Sequence, residues 1–389
     1  MTTDTRSGVL ARLRPGPNQS WLELFYDLTF VASLVVLSNS YSNDKSITHA
    51  LWLAIVGSLI WVALVETTLL TNRHTLQRFW PRALYVLQML LVLLLAIAAD
   101  DTVGNNTEYV GPIFALVTAT LIPLYLLAAK ERPELLDFAR HHAVRSGIAG
   151  VIFVLSPFYG DVWYWIPWVV AVAIIIAPDR GMKFDQALDR HHLVHRFGEF
   201  TIIVLGEAFL KIALIATEEP LDQVDLLGLP LTFGVIYAIW WMYFTDVTPA
   251  GLPESPGRIR VWIAAHLPLQ LSITSLAVGM SLILNPSIDA VEPAYIRMIL
   301  TPLLVISLAL AAINLTQRTD LGRRRARVHG LAALAFAIAF TVLQLTEGFD
   351  EEITAGVAIV VLSATALSIR RIDVPADESI TAERLPELD

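Results

Sequence analysis

Apolar residues run through this chain in blocks of about 17 to 25, each closed by a short polar or charged stretch. A helix of that length crosses a hydrocarbon layer of about 30 Å. The pattern predicts helices near 21–38, 51–71, 82–99, 111–129, 142–158, 162–178, 199–217, 226–246, 260–284, 294–314, 328–346 and 352–369. Strands of an outer-membrane barrel would be about ten residues long and alternate polar with apolar, a pattern not seen here. The expected fold class is therefore an all-α integral membrane protein with about twelve transmembrane helices. Pro157, Gly160 and Pro167 interrupt the fifth and sixth blocks, which leaves open whether these are two spans or one re-entrant hairpin.

Composition agrees with a bilayer setting: 55% of the 389 residues are hydrophobic and 16% charged, with a mean hydropathy of +0.60. Two soluble domains would carry more charge. With no cysteine, disulfides and thiolate chemistry are excluded. The first twenty residues lack an apolar core, so no cleavable signal peptide is expected. Lys and Arg collect on cytoplasmic loops. With the amino terminus inside, alternation over twelve spans places 24 of the 27 basic residues inside, with Lys45 and Arg297 outside and Lys211 within a span. Both termini are thus expected in the cytoplasm of an inner-membrane protein. The net charge of -9 sits largely in outward loops and in the tail after Asp373.

The chain also reads as duplicated. Aligning Glu23 to Val31 with His195 to Ile203 superposes Phe25 on Phe197, Asp27 on Glu199 and Thr29 on Thr201. In the same order follow Trp61 and Glu66 with Trp241 and Asp246, Arg82 and Gln88 with Arg260 and His266, and Ala139 to His142 with Ala326 to His329. Two parallel six-helix repeats, related by an axis along the membrane normal, are expected. The expected divisions are a cytoplasmic segment at 1–20, halves at 21–178 and 179–372, and an acidic disordered tail at 373–389.

Four stretches carry a resemblance. ELFYDLTFVASL in the first span, RFGEFTIIVLGE from Arg196 to Glu207, WWMYF from Trp240 to Phe244 and HLPL from His266 to Leu269 resemble the motifs of the bacterial low temperature requirement A (LtrA) family. The resemblance implies a polytopic inner-membrane protein whose family name records a cold-growth phenotype, with no settled biochemical activity. The matching positions are Glu23, Phe25, Asp27, His192, Arg196, Phe197, Gly198, Gly206, Glu207 and His266. This chain departs from the family in having His195 where Glu is usual and Glu199 where an apolar residue is usual. Thr245 also intervenes before Asp246.

Ionisable residues inside spans are costly and point to function. The candidates for substrate or proton binding are Glu23, Asp27, Glu66, Gln88, His192, Arg196, Glu207, Lys211 and His266. On the seventh span Glu199, Glu207 and Lys211 fall within a sector of about 120°. Glu207 lies eleven residues beyond Arg196, roughly 16 Å deeper, and Gln88 and His266 are each roughly 9 Å in from a basic residue. The expected site is a polar vestibule open to the cytoplasm with a carboxylate at its floor. Each residue also has a plainer reading. Glu207 and Lys211 can form a structural ion pair, and Glu23 can stabilise a helix start. His266 can satisfy a carbonyl freed by Pro268. His191, His192 and His195 lie beside Arg190 and Arg196, so no metal site is expected, and no cofactor. Gly147 and Gly150 suggest close helix contact. The ten Trp, as in Asp161 to Trp168, are expected mostly at the membrane interfaces.

Three classes of function remain open. The first is a secondary transporter or permease whose halves rock about a midplane site, with a coupling proton on Glu207, Asp27 or His266. The second is a membrane-embedded enzyme acting on a lipid or isoprenoid by general acid–base chemistry. The third is a non-transporting sensor, which a short tail without a signalling domain argues against. The expected partners are membrane lipids and an unknown small-molecule or lipid substrate, with no nucleic acid.

Overall fold

The computed structural model describes residues 21–74, 78–100, 107–159, 165–177, 188–218, 228–284, 293–346 and 351–373. The segment 1–20, the tail beyond Asp373, Gly160 and the basic residues Arg180 and Lys183 lie outside them. Twelve α-helices and no strand occur among the described residues: α1 Trp21–Asn43, α2 Ile47–Arg73, α3 Phe79–Asp100, α4 Val110–Glu131, α5 Leu136–Val154, α6 Trp165–Ile176, α7 Arg190–Glu218, α8 Gly228–Ala250, α9 Pro256–Ile283, α10 Pro293–Leu315, α11 Asp320–Leu345 and α12 Glu351–Asp373. Each falls on one of the twelve apolar blocks. Nine of these helices are long and apolar enough to cross a membrane.

The other three are α5, α6 and α7. α7 has 29 residues, with Glu207 and Lys211 inside it. α5 has 19 residues and carries Arg140 and Arg145. α6 has 12 residues, about 18 Å of rise, too short to cross upright. Between α5 and α6 the chain makes a 3₁₀ turn at Ser156–Phe158 with Pro157 in its first positions. Proline there has no N–H to leave unsatisfied.

Two helices run well beyond their apolar blocks at a polar end. α7 begins nine residues before the apolar run starts at 199, and α11 begins at Asp320 rather than 328. Polar side chains extend these helices because they find partners there. The side chain of Thr319 caps α11 by accepting from the Gly322 N–H, and Asp189 accepts from the His192 N–H at 2.9 Å. Both satisfy donors that a helix start leaves open.

α2 is the centre of the bundle. Every residue from Leu59 to Arg73 is buried, as expected of a helix apolar all round, and α1, α3, α4, α6, α7 and α9 pack against it. Small residues allow close approach elsewhere. Gly150 faces Thr118 of α4, and a Cβ on Gly279 would stand 2.6 Å from the Met298 carbonyl oxygen of α10. The tryptophans divide between the interior of the bundle and its surface. Trp52, Trp61, Trp168 and Trp262 are buried, while Trp21, Trp80, Trp165 and Trp241 are exposed. Trp168 packs against Trp52 and Phe153, and Trp52 Nε1 donates to the Ala99 carbonyl at 3.0 Å. Trp61 Nε1 likewise donates to Gln270 Oε1 at 3.0 Å, as buried indole donors usually do.

One end of the bundle is rich in arginine, and these arginines cap helix ends. Arg132 donates to the Arg73 carbonyl at 2.6 Å, Arg190 to those of Leu252 and Pro253, and Arg258 to that of Thr316 at 3.0 Å. The last carbonyls of α2 and α10, and of the turn after α8, lack intrahelical donors, and a guanidinium at a helix carboxyl end also complements the dipole. These contacts bring the starts of α7 and α9 and the ends of α2, α4, α8 and α10 to the same end.

Candidate functional site

α1 and α7 lie side by side and parallel. Glu23 meets His192, Asp27 meets Arg196, and Ser38 meets Glu207, each pair separated by 169 in sequence. The Phe30 and Phe200 rings pack edge to face between them. The α1/α7 seam therefore holds polar layers at three depths, divided by aromatic packing.

At the arginine-rich end, His192 Nε2 lies 3.4 Å from Glu23 Oε2 and its Nδ1 is 3.1 Å from Asn72 Nδ2. Asn72 also donates to the Asp189 carbonyl and accepts from the Asp189 N–H. An amide nitrogen can only donate, so Nδ1 of His192 accepts and Nε2–H faces the carboxylate. One turn deeper, Arg196 grips Asp27 through Nη1 at 2.7 Å and Nη2 at 2.8 Å. The two side chains are 2% and 1% exposed. A bidentate pair this enclosed is the strongest polar contact between the two helices.

About 16 Å further along, eleven residues on, Glu207 is held loosely. Its Oε1 accepts from Ser38 at 3.4 Å and lies 3.8 Å from Lys211 Nζ, and its Oε2 has no hydrogen-bond partner among the described residues. Lys211 turns instead to Asn39 Oδ1 at 2.7 Å. Glu199, placed on the same face by helical spacing, pairs with His195 at 3.3 Å and stays with the outer layer. His191, His192 and His195 do not converge: the second faces Glu23 and Asn72, and the third Glu199.

The remaining candidates lie in other buried clusters. Glu66 Oε2 accepts from Tyr125 Oη and faces His142 Nδ1, both at 2.7 Å. Gln88 accepts from Thr67 Oγ1 at 2.9 Å. His266 Nδ1 lies 2.7 Å from the Trp262 carbonyl and its Nε2 3.0 Å from Tyr243 Oη. The carbonyl it meets is that of Trp262, one turn before it, rather than the one Pro268 frees. A carbonyl only accepts, so Nδ1 carries the hydrogen and Tyr243 donates to Nε2. These candidates thus lie in separate clusters, with Asp27, Glu207 and His266 at most 5% exposed.

One cluster was not singled out as a site from the sequence. Asp246 Oδ2 accepts from Asn314 at 2.9 Å and faces His329 Nε2 at 2.7 Å. Its Oδ1 lies 2.8 Å from Arg325 Nη1, and Arg325 also grips both oxygens of Asp373. Asp246 on α8 meets His329 on α11 with a donor from α10. Glu66 on α2 meets His142 on α5 with a donor from α4. The signal was present: Asp246 aligned with Glu66 and His329 with His142. Only contact between the helices turned four separate residues into two acid–imidazole pairs.

Apolar helices of membrane-crossing length, with charges closed inside the bundle, define a polytopic helical membrane protein. Residues 18–364 match the family described as bacterial low temperature requirement A protein (LtrA), and the chain belongs to that family. It is also similar to an uncharacterized protein of Rhizobium meliloti (strain 1021), 24% identical over 295 residues that span 67% of this chain and 68% of the relative.

Proposed function

We propose that this protein is a secondary transporter or permease of the bacterial inner membrane, in which two parallel six-helix halves, 21–178 and 179–372, move against each other and a buried acid carries a coupling proton. The observation that carries this reading is Glu207. It is a carboxyl group deep in the bundle with one oxygen unpartnered among the described residues, beside a cation that Asn39 holds instead. A purely structural ion pair at membrane depth is expected to be closely paired and fully hydrogen-bonded. A loosely held acid is free to exchange between charged and neutral forms as water reaches it. The two halves are supported by the parallel contact of α1 with α7, their first helices. The acid–imidazole pair on the second and fifth helix of each half, with a donor from the fourth, supports them further.

Reconstituted into proteoliposomes, the protein is expected to move a solute in response to an imposed pH gradient. No gradient-dependent movement in panels of amino acids, sugars, ions and amphiphiles would overturn the reading. Glu66 and His142 in contact are also the side chains an acid–base enzyme acting on a lipid or isoprenoid would use. A co-purified lipid that is chemically altered, and no longer altered in Glu66→Gln, would favour that reading instead.

The arginine-rich end is proposed to face the cytoplasm, with both termini there, because clustered Arg opposes translocation. The α1 start and the α12 end both lie at that end, the first through Glu23 and the second through Asp373. Reporter fusions in the Arg318 to Arg327 loop are expected to read inside, and fusions at Asp101, Glu219 and Asp350 outside. An inside signal from any of those three overturns the orientation.

A further inference from the structure

A cavity of about 470 Å³ lies between α2, α5 and α6 on one side and the start of α9 on the other. Its walls are apolar, among them Val62, Val65, Leu69, Ile175 and Ile263, and Glu66 and His142 reach it from the Tyr125 cluster. Two half-buried arginines also line it, Arg145 and Arg260. Arg145 is fixed in place by donating to the Ala177 carbonyl at 2.6 Å, just past the end of α6. At the rim Ile176 and Val261 are 57% and 51% exposed. These are branched apolar side chains on the outer face of the bundle, so the rim of the cavity between α6 and α9 is apolar, as a face towards lipid is.

We propose that this cavity binds a single-chain amphiphile with an anionic head, a long-chain carboxylate or monophosphate, drawn laterally from the membrane. A slot of apolar side chains suits one hydrocarbon chain, and its volume is that of pockets that enclose a small molecule. Two guanidiniums beside an apolar slot match an acidic head joined to an apolar tail, since Arg presents a planar fork to carboxylate or phosphate. Basic pockets between membrane helices are a recurring means of holding acidic lipid heads. The side chains that only snorkel lie along a surface with their heads in water. Arg145 instead donates to the Ala177 carbonyl just past α6 and lines the cavity. The site does not depend on the transport reading, because it concerns what the cavity holds and not whether anything crosses.

The test is photolabelling of the purified full-length chain in non-ionic detergent with a diazirine-bearing palmitate, followed by peptide mapping. Labelling is expected to saturate, to map to Val172–Ile176 and Val261–Ile263, and to be competed by oleate and by dodecyl phosphate. Arg260→Gln is expected to weaken labelling roughly tenfold, the value of one charge-assisted contact, and to leave labelling by the matching diazirine alcohol unchanged. Ala264→Leu narrows the cavity while keeping both arginines in the chain and is expected to lower labelling by both probes, which keeps the test decisive if Arg260→Gln fails to fold. Labelling that is unsaturable and spread over the lipid-facing surface overturns the proposal. So does equal competition by an uncharged alcohol, or competition by two-chain phosphatidylglycerol and not by oleate.

Discussion

Asp27→Ala is expected to cost about 3–5 kcal/mol of stability, because it leaves the Arg196 guanidinium buried without its counter-charge. Arg196 is 2% exposed and spends both terminal nitrogens on Asp27. Its Nε has no hydrogen-bond partner among the described residues, and the neighbouring carboxylates, Glu23 and Glu199, are paired with His192 and His195. Arg196→Met is expected to be destabilising in the same way from the other side. The double variant Asp27→Ala with Arg196→Met removes both charges and is expected to regain most of the loss, since an apolar replacement of a buried pair is often neutral or better. Melting in detergent by fluorescence-detected size exclusion measures this. Single variants that melt with the wild type would mean that water reaches the pair.

Glu207 is expected to behave in the opposite way. Glu207→Gln keeps the shape of the side chain and an acceptor for Ser38, so folded yield is expected to stay near that of wild type. If the carboxyl carries the coupling proton, gradient-driven movement of solute falls at least tenfold. Adding Lys211→Met is not expected to restore it. The gap to Lys211 is 3.8 Å and Lys211 has a shorter contact with Asn39, so the two side chains are expected to couple by only about 0.5 kcal/mol. The double-mutant cycle is therefore expected to separate the two sites: strong coupling at Asp27 and Arg196, weak coupling at Glu207 and Lys211. A loss of yield in Glu207→Gln that Lys211→Met repairs, with solute movement restored, would make that pair structural and remove the acid from the mechanism.

The contrast between these two pairs shows how differently their partners could be read in advance. Glu207 and Lys211 are one helical turn apart, and spacing alone suggested an ion pair. Asp27 and Arg196 are far apart in sequence; both were singled out as candidates, but nothing local paired one with the other. The structure reverses the ranking. Lys211 turns across to α1 because Asn39 lies nearer than its own neighbour, and Arg196 closes on Asp27 because α1 and α7 run parallel in a fixed register. Glu199 shows the same limit: shared face with Glu207 was correct as helical geometry, but its partner is His195 at another depth.

By itself the sequence placed the twelve helices of the described residues in order, leaving open only whether the fifth and sixth are two spans or one hairpin. A membrane helix satisfies its backbone hydrogen bonds internally, so apolar length is enough to mark it. The same local rule marked which residues are costly to bury, and nearly all of them proved to be hydrogen-bonded or ion-paired. Tertiary structure alone decided the partners. The meeting of Glu66 with His142 and Tyr125, the joining of Asp246 with His329 and Arg325, the burial of Trp168 and the cavity beside Arg145 and Arg260 all depend on how each helix is rotated against its neighbours. That rotation is set by packing between side chains distant in the chain, and no local pattern of polar and apolar residues encodes it.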